Sequence, residues 1–132
     1  MRVWLALVLT AIALSAADVK PADPVERLSH VDLYAFGGVG FAGTTSQGQQ
    51  DYDAILVRRS AKLDFEKIFS SGNPQAKAYA LNGIYKLDPA RFRALNEQLR
   101  METTKVRTAH GCILGLETLG SIVQGIGKSG AK

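Results

Sequence analysis

Two helix-start signals, Asn73-Pro74 and Asp88-Pro89, constrain the fold of this sequence more than any other feature. An Asn or Asp side chain accepts a hydrogen bond from the first helical turn, and proline suits the first helical position because no N–H is needed there. The two predicted helices follow each other so closely that they form an antiparallel helical hairpin. The sequence therefore predicts a mainly helical fold, a small bundle of αα-hairpins with one or two short extended segments.

Apolar spacing predicts further helices on both sides of this pair. Ser46 and Gln49 match a capping box ahead of an amphipathic stripe, and Ser60 can cap the helix that follows. Gly72 is expected to end that second helix in the left-handed conformation. A final helix is predicted from Glu117 to about Ile126.

Two segments have the composition of short strands. They are Val31 to Phe36 and Lys105 to Thr108, which are rich in β-branched or aromatic residues. We expect that these two segments can meet as a small two-stranded piece. Gly111 and Cys112 then predict a tight turn that leads into the final helix.

The first residues have the layout of a secretory signal peptide. Arg2 is followed by the apolar run Val3 to Leu14, and Ser15-Ala16-Ala17 supplies small residues before a cleavage point. The run is too short to span a membrane, and no later stretch reaches that length. We predict a signal peptide at residues 1–17, an extended arm at 18–30, one helical domain at 31–126 and a flexible tail at 127–132. A short helix starting at Pro24 is the alternative within the arm.

Charge and cysteine content exclude some classes of function and fold. The formal net charge is +4, but the basic residues are spread along the chain among acidic ones. A nucleic-acid-binding protein gathers such charge into a patch or stripe, so we expect no nucleic-acid partner. The only cysteine is Cys112, so the chain has no internal disulfide and its fold depends on packing.

The segment Gly38-Val39-Gly40-Phe41-Ala42-Gly43 spells the G-x-G-x-x-G string of dinucleotide-binding turns. That string binds a dinucleotide only between a strand and a helix of a βαβ unit. No apolar helical stripe follows until Tyr52, and no further βαβ unit follows. We therefore predict no cofactor and a structural role, in which Phe36, Val39 and Phe41 act as apolar plugs between bare glycine backbone, including Gly37.

His110 and Cys112 offer a base and a thiol close together in sequence. A nucleophilic cysteine needs a base within reach, and a zinc site needs about four ligands. With only His30 in addition, no spacing supports a metal site. We favour a buried, inert Cys112 in a tight turn with Gly111, and a thiol-dependent enzyme using Cys112 and His110 is the alternative.

The sequence also resembles a family of small exported bacterial proteins, one member of which is associated with microcin gene clusters. The resemblance runs from about His30 to Ile126. Its most specific parts are Phe36–Gly43, Tyr79-Ala80-Leu81 with Gly83, Asp88-Pro89 with Phe92, and Gly111-Cys112. The resemblance implies export and a shared fold, but it implies no mechanism and no catalytic residue.

These observations predict an exported protein, periplasmic or secreted, that binds another envelope or secreted protein. The structural or interaction candidates lie in the glycine stretch and at two turns, and they are Phe36, Gly37, Gly38, Gly40, Phe41, Gly43, Asp88, Pro89, Gly111 and Cys112. A third alternative is a peripheral envelope protein that is attracted weakly to anionic surfaces by its positive charge.

Overall fold

The computed structural model describes residues 21–130, so the predicted signal peptide, the start of the predicted arm and the last two residues lie outside the described residues. The described residues form six helices and two short β-hairpins. In chain order the elements are α1 (Pro24–Ser29), β1 (Gly38–Val39), β2 (Thr44–Thr45), α2 (Gln47–Leu56), α3 (Ala61–Ser71), α4 (Pro74–Leu87), α5 (Pro89–Leu99), β3 (Lys105–His110), β4 (Ile113–Thr118) and α6 (Leu119–Ser129).

Helix α4 lies at the centre of the fold. Small residues such as Ala76, Ala80 and Gly83 line it, so that neighbouring elements approach closely on several sides, and most of the helix is buried. Helices α1, α2, α3, α5 and α6 and strand β3 all contact it. The prediction of a mainly helical fold is confirmed. A bundle of αα-hairpins is not confirmed, because the other helices surround one buried helix.

Three of the four predicted caps form as expected. The side chains of Ser46, Asn73 and Asp88 each accept a backbone hydrogen bond at the start of α2, α4 and α5. Ser60 precedes α3, but its hydroxyl donates to Asp64 Oδ2 at 2.7 Å and caps no backbone N–H. The capping box at Ser46 is half-formed, since the Gln49 side chain accepts from the N–H of Gly37 instead.

Gly72 ends α3 for a different reason from the one predicted. Its φ of −76° and ψ of 166° are extended, so the left-handed conformation predicted for it is wrong. A Cβ at this position would lie 2.6 Å from the carbonyl oxygen of Ile68 and 2.7 Å from the Cβ of Ala76. The close approach of the α3 end to α4 is what requires glycine here.

The two ends of the domain differ from the preferred predictions. For residues 18–30 the alternative is confirmed, since helix α1 begins at Pro24 within the segment predicted as an extended arm and buries Val25 and Leu28 in the core. The final helix, α6, starts at Leu119 and continues to Ser129, into the segment predicted as a flexible tail. Residues 113–118 form strand β4 and not the direct entry into a helix.

Candidate interaction surface

The glycine stretch forms a small β-hairpin. Strands β1 and β2 pair antiparallel, with Gly38 opposite Thr45. A Cβ on Gly38 would lie 3.0 Å from the carbonyl oxygen of Gly43, and Gly43 itself has a φ of 60°. Helix α2 starts only after β2, so the G-x-G-x-x-G letters lie in a β-hairpin and not in a strand–turn–helix unit.

Aromatic side chains hold the base of this hairpin in place. The ring of Phe36 lies 5.2 to 5.6 Å, centroid to centroid, from the rings of Tyr34, Tyr52 and Tyr79. The Tyr79 hydroxyl donates to the carbonyl of Ala35 at 2.8 Å and accepts from its N–H at 3.0 Å. Burial raises the pKa of Tyr79 above its ordinary value, so this hydroxyl remains protonated and keeps donating at neutral pH.

A second β-hairpin, made of β3 and β4, follows α5. The strands pair antiparallel from Lys105 opposite Thr118 to His110 opposite Ile113, and Gly111 and Cys112 form the turn. Gly111 has a φ of 61°, and within residues 21–130 only glycines have positive φ. Glycine at the first turn position, followed by a residue of negative φ, is the pattern of a type II′ turn.

The two hairpins lie side by side and contact each other through their backbones. The N–H of Gly40 donates to the carbonyl of Gly111 at 3.0 Å. Further back, the Tyr34 N–H donates to the Arg107 carbonyl at 2.8 Å, and the Ala109 N–H donates to the Tyr34 carbonyl at 3.2 Å. One edge of β3 is therefore covered by the first hairpin and its base, and the other edge is paired with β4.

The outer edge of β4 is open. The C=O of Arg107 and the N–H of Ala109 bond to Tyr34, so the backbone groups of these two residues point away from β4. Arg107 with Leu116, and Ala109 with Leu114, are therefore non-hydrogen-bonded pairs of the β3–β4 ladder. The N–H and C=O groups of these two leucines consequently point away from β3. Within residues 21–130 no backbone group of residues 113–117 forms a hydrogen bond outside the β3–β4 ladder.

Strand β4 is also unusually apolar for an exposed strand. Ile113, Leu114 and Leu116 are 72%, 70% and 64% exposed. Directly opposite residues share a face of a sheet, so Leu114 and Leu116 lie on the face of Ala109 and Arg107, and the buried Val106 and Thr108 lie on the other face. On the leucine face Ala109 is only 1% exposed, whereas the two leucines and Arg107 are exposed. We use the name hairpin surface for β4, its turn at Gly111 and Cys112, and the tip of the first hairpin at Phe41.

Two cations lie on the same face as the leucines. Arg107 is opposite Leu116, and Lys105 is opposite Thr118. Both are exposed, and among the described residues neither forms an ion pair. The only carboxylate of β4, Glu117, lies on the other face, where its Oε2 is 3.4 Å from Nε2 of His110. The exposed face of the hairpin therefore combines apolar side chains with positive charge.

Cys112 is exposed at the tip of the second hairpin, so the preferred prediction of a buried cysteine is wrong. Residues 110–114 around it are all exposed, so this end of the hairpin lies at the surface. His110 contacts Glu117, and no hydrogen bond joins it to Cys112 within residues 21–130. The structure therefore does not assemble the thiol and base that nucleophilic catalysis requires.

The other predicted residues divide between the hairpin surface and the rest of the fold. Phe36 packs against the core as predicted, but Phe41 is fully exposed, so its prediction as an apolar plug is wrong. Asp88 and Pro89 lie at the α4–α5 junction, where Asp88 accepts from Lys62 at 3.1 Å and caps α5.

Sequence reasoning missed Leu114 and Leu116, although Gly111 at a turn between β-branched and apolar runs is a hairpin signal.

The described residues contain no group of three or more His, Cys, Asp or Glu side chains that could hold a metal ion. Within those same residues, no helix combines the length and apolar character needed to cross a bilayer.

Comparison of the chain with models of protein families, with curated proteins and with solved structures found no match in any of the three.

Proposed function

We propose that this chain is an exported interaction module of the bacterial envelope that binds another protein through the hairpin surface. The observation that carries this proposal is β4, a strand with an open edge and three large apolar side chains in solvent. Natural proteins cover or charge such edges, because they pair readily with other chains. A surface of this kind is explained when a partner covers it.

The rigid support of the hairpin surface favours binding. The first hairpin is anchored by Phe36 and by the Tyr79 hydroxyl, and the second by the burial of Val106 and Thr108. A surface that is already ordered loses less conformational entropy when a partner binds. The signal-peptide pattern at residues 1–17 supports the export part of the proposal.

Site-specific photo-crosslinking in the host bacterium tests the binding. A photoreactive residue is introduced at Leu114 or, as a matched control, at Leu63, an exposed leucine of α3 that is 76% accessible. We expect a crosslinked species containing a second polypeptide at Leu114 and none at Leu63. Failure to detect any protein adduct at Leu114, or equal adducts at both positions, would refute the proposal.

Fractionation with intact-mass measurement tests the export. We expect a protein in the periplasm or medium that begins near Asp18. Recovery of the protein in the cytoplasm with residues 1–17 still attached would contradict this part of the proposal without affecting the binding surface.

A further inference from the structure

We propose that the occupant of the hairpin surface is an extended segment of the partner protein, which adds to the edge of β4 as a third strand and carries alternating apolar and acidic side chains. This inference rests on the proposed function and specifies the chemistry of its partner. It depends on three features of β4: its unpaired backbone groups, its exposed leucines and the cations beside them.

The backbone of β4 selects an extended chain. The outward N–H and C=O groups of Leu114 and Leu116 have the spacing that a neighbouring strand satisfies with its own backbone. A lipid surface is less suitable, because an open strand edge leaves these polar groups unpaired in hydrocarbon. Helical partners do not provide free backbone groups in this geometry either, since their N–H and C=O groups are already paired.

The side chains specify what the added strand carries. Alternate residues of a strand lie on one face, so the partner residues beside Leu114 and Leu116 share the face of these leucines. Arg107 and Lys105 lie on that face and lack an ion-pair partner within residues 21–130. A strand on the far side of β4 is about 10 Å from β3, a distance that an arginine and a glutamate side chain span together.

A second copy of this chain fits the surface less well. Two β4 edges could pair and cover their leucines, but Arg107 and Lys105 would still lack acidic partners on that face. Removal of residues 1–17 takes away Arg2 and leaves each copy with a formal net charge of +3, down from +4, and this positive charge opposes association. An acidic and apolar segment covers the leucines and neutralises the cations together.

An NMR titration of the purified protein tests strand addition. The probe is the synthetic peptide Glu-Thr-Glu-Thr-Val-Thr-Val, whose acidic end would lie beside Thr118 in an antiparallel pairing with β4. We expect amide shifts confined to β4 and its neighbours and slower hydrogen exchange at the amides of Leu114 and Leu116. Two control peptides keep the same length: one has lysine in place of both glutamates, and one is N-methylated at the third and fifth residues.

The controls separate backbone pairing from charge. N-methylation should weaken binding about tenfold for each backbone hydrogen bond lost. The lysine peptide should bind about two- to fivefold more weakly than the glutamate peptide for each ion pair lost, and Arg107→Glu should reverse that preference. This reversal requires a folded variant, so it also excludes a simple loss of structure.

Several results would overturn the inference. Backbone pairing is wrong if the N-methylated peptide binds as tightly as the unmodified one, or if the amide shifts lie away from β4. A second copy of the chain is the occupant if the β4 amide shifts depend on protein concentration without peptide. A lipid surface is the occupant if anionic phosphatidylglycerol vesicles cause the β4 amide shifts and the peptide does not. A protein adduct at Leu114 in the cell together with any of these results would leave the proposed function intact and remove strand addition alone.

Discussion

The substitution Gly83→Ala isolates the close packing of α4 against α3. Gly83 lies in the middle of α4, and a Cβ at this position would lie 2.4 Å from Cδ2 and 2.5 Å from Cε2 of Phe65. These distances are far below van der Waals contact, so the ring or one of the helices must move. Phe65 is fully buried, with its ring centroid 5.4 Å from that of Tyr52, so the ring has no free space to enter.

The expected magnitude follows from two opposing terms. Alanine in a helix interior is more favourable than glycine by about 1 kcal/mol. Overpacking of a core costs about 1–3 kcal/mol, and the overlap with a buried ring places this site at the upper end of that range. We therefore expect a net loss of about 2 kcal/mol from the free energy of unfolding.

Gly125→Ala is the matched control. Gly125 lies in α6 and is exposed, and a Cβ added there would meet no atom within 4 Å beyond its own helix backbone and chain neighbours. This change should stabilise the protein by up to about 1 kcal/mol, so the two variants should differ by about 3 kcal/mol. Urea unfolding followed by far-ultraviolet circular dichroism measures both values. If Gly83→Ala stabilises the protein as much as Gly125→Ala, the proposed packing of α4 against Phe65 is wrong.

Three further predictions concern the titration of a cap, the exchange of β4 amides and the exposure of the thiol. The hydrogen bond from Lys62 lowers the pKa of Asp88 in the folded protein. The ionised Asp88 carboxylate therefore stabilises the fold above the ordinary pKa of aspartate, and this stabilisation is lost as the pH falls through the lowered pKa of the folded state. Asp88→Asn should therefore reduce the loss of stability between neutral and acidic pH, and an unchanged pH dependence in urea unfolding would contradict this. In the free protein the amides of Leu114 and Leu116 should exchange faster than those of Ile113 and Gly115, which point to β3; slow exchange at both leucines would mean that the assigned pairing is wrong. Cys112 should react with an alkylating reagent without denaturant, and Cys112→Ser should change the free energy of unfolding by no more than about 0.5 kcal/mol; a thiol that reacts only in urea would refute its exposure.

The helix starts could be predicted because they depend on neighbouring residues. Asn73 and Asp88 bond to N–H groups only three residues ahead, so their role is visible in the sequence. Ser60 shows the limit of this reasoning, since its hydroxyl bonds to Asp64 in place of the backbone. A cap residue with an alternative acceptor nearby cannot be assigned from the sequence alone.

The hairpin surface could be predicted only in part. The sequence predicts the turn at Gly111 and Cys112 and the extended conformation of Lys105 to Thr108, and both predictions are confirmed. Within residues 21–130 the Val31–Phe36 segment pairs with β3 at one isolated parallel bridge, between Tyr34 and Thr108. The main partner of β3 is β4, which the sequence analysis does not predict, because it assigns these apolar residues to the entry into the final helix.

Local features follow directly from the order of the residues. These are the helical class, the caps at Ser46, Asn73 and Asp88, and the turn at Gly111, because each depends on residues a few positions apart. The remaining features depend on tertiary packing. Tertiary packing places α4 at the centre, since contacts from several elements are required to bury a helix on all sides. The same packing leaves Phe41 and the leucines of β4 exposed, because burial depends on which other segments lie nearby. The first hairpin covers β3, while the edge of β4 remains open.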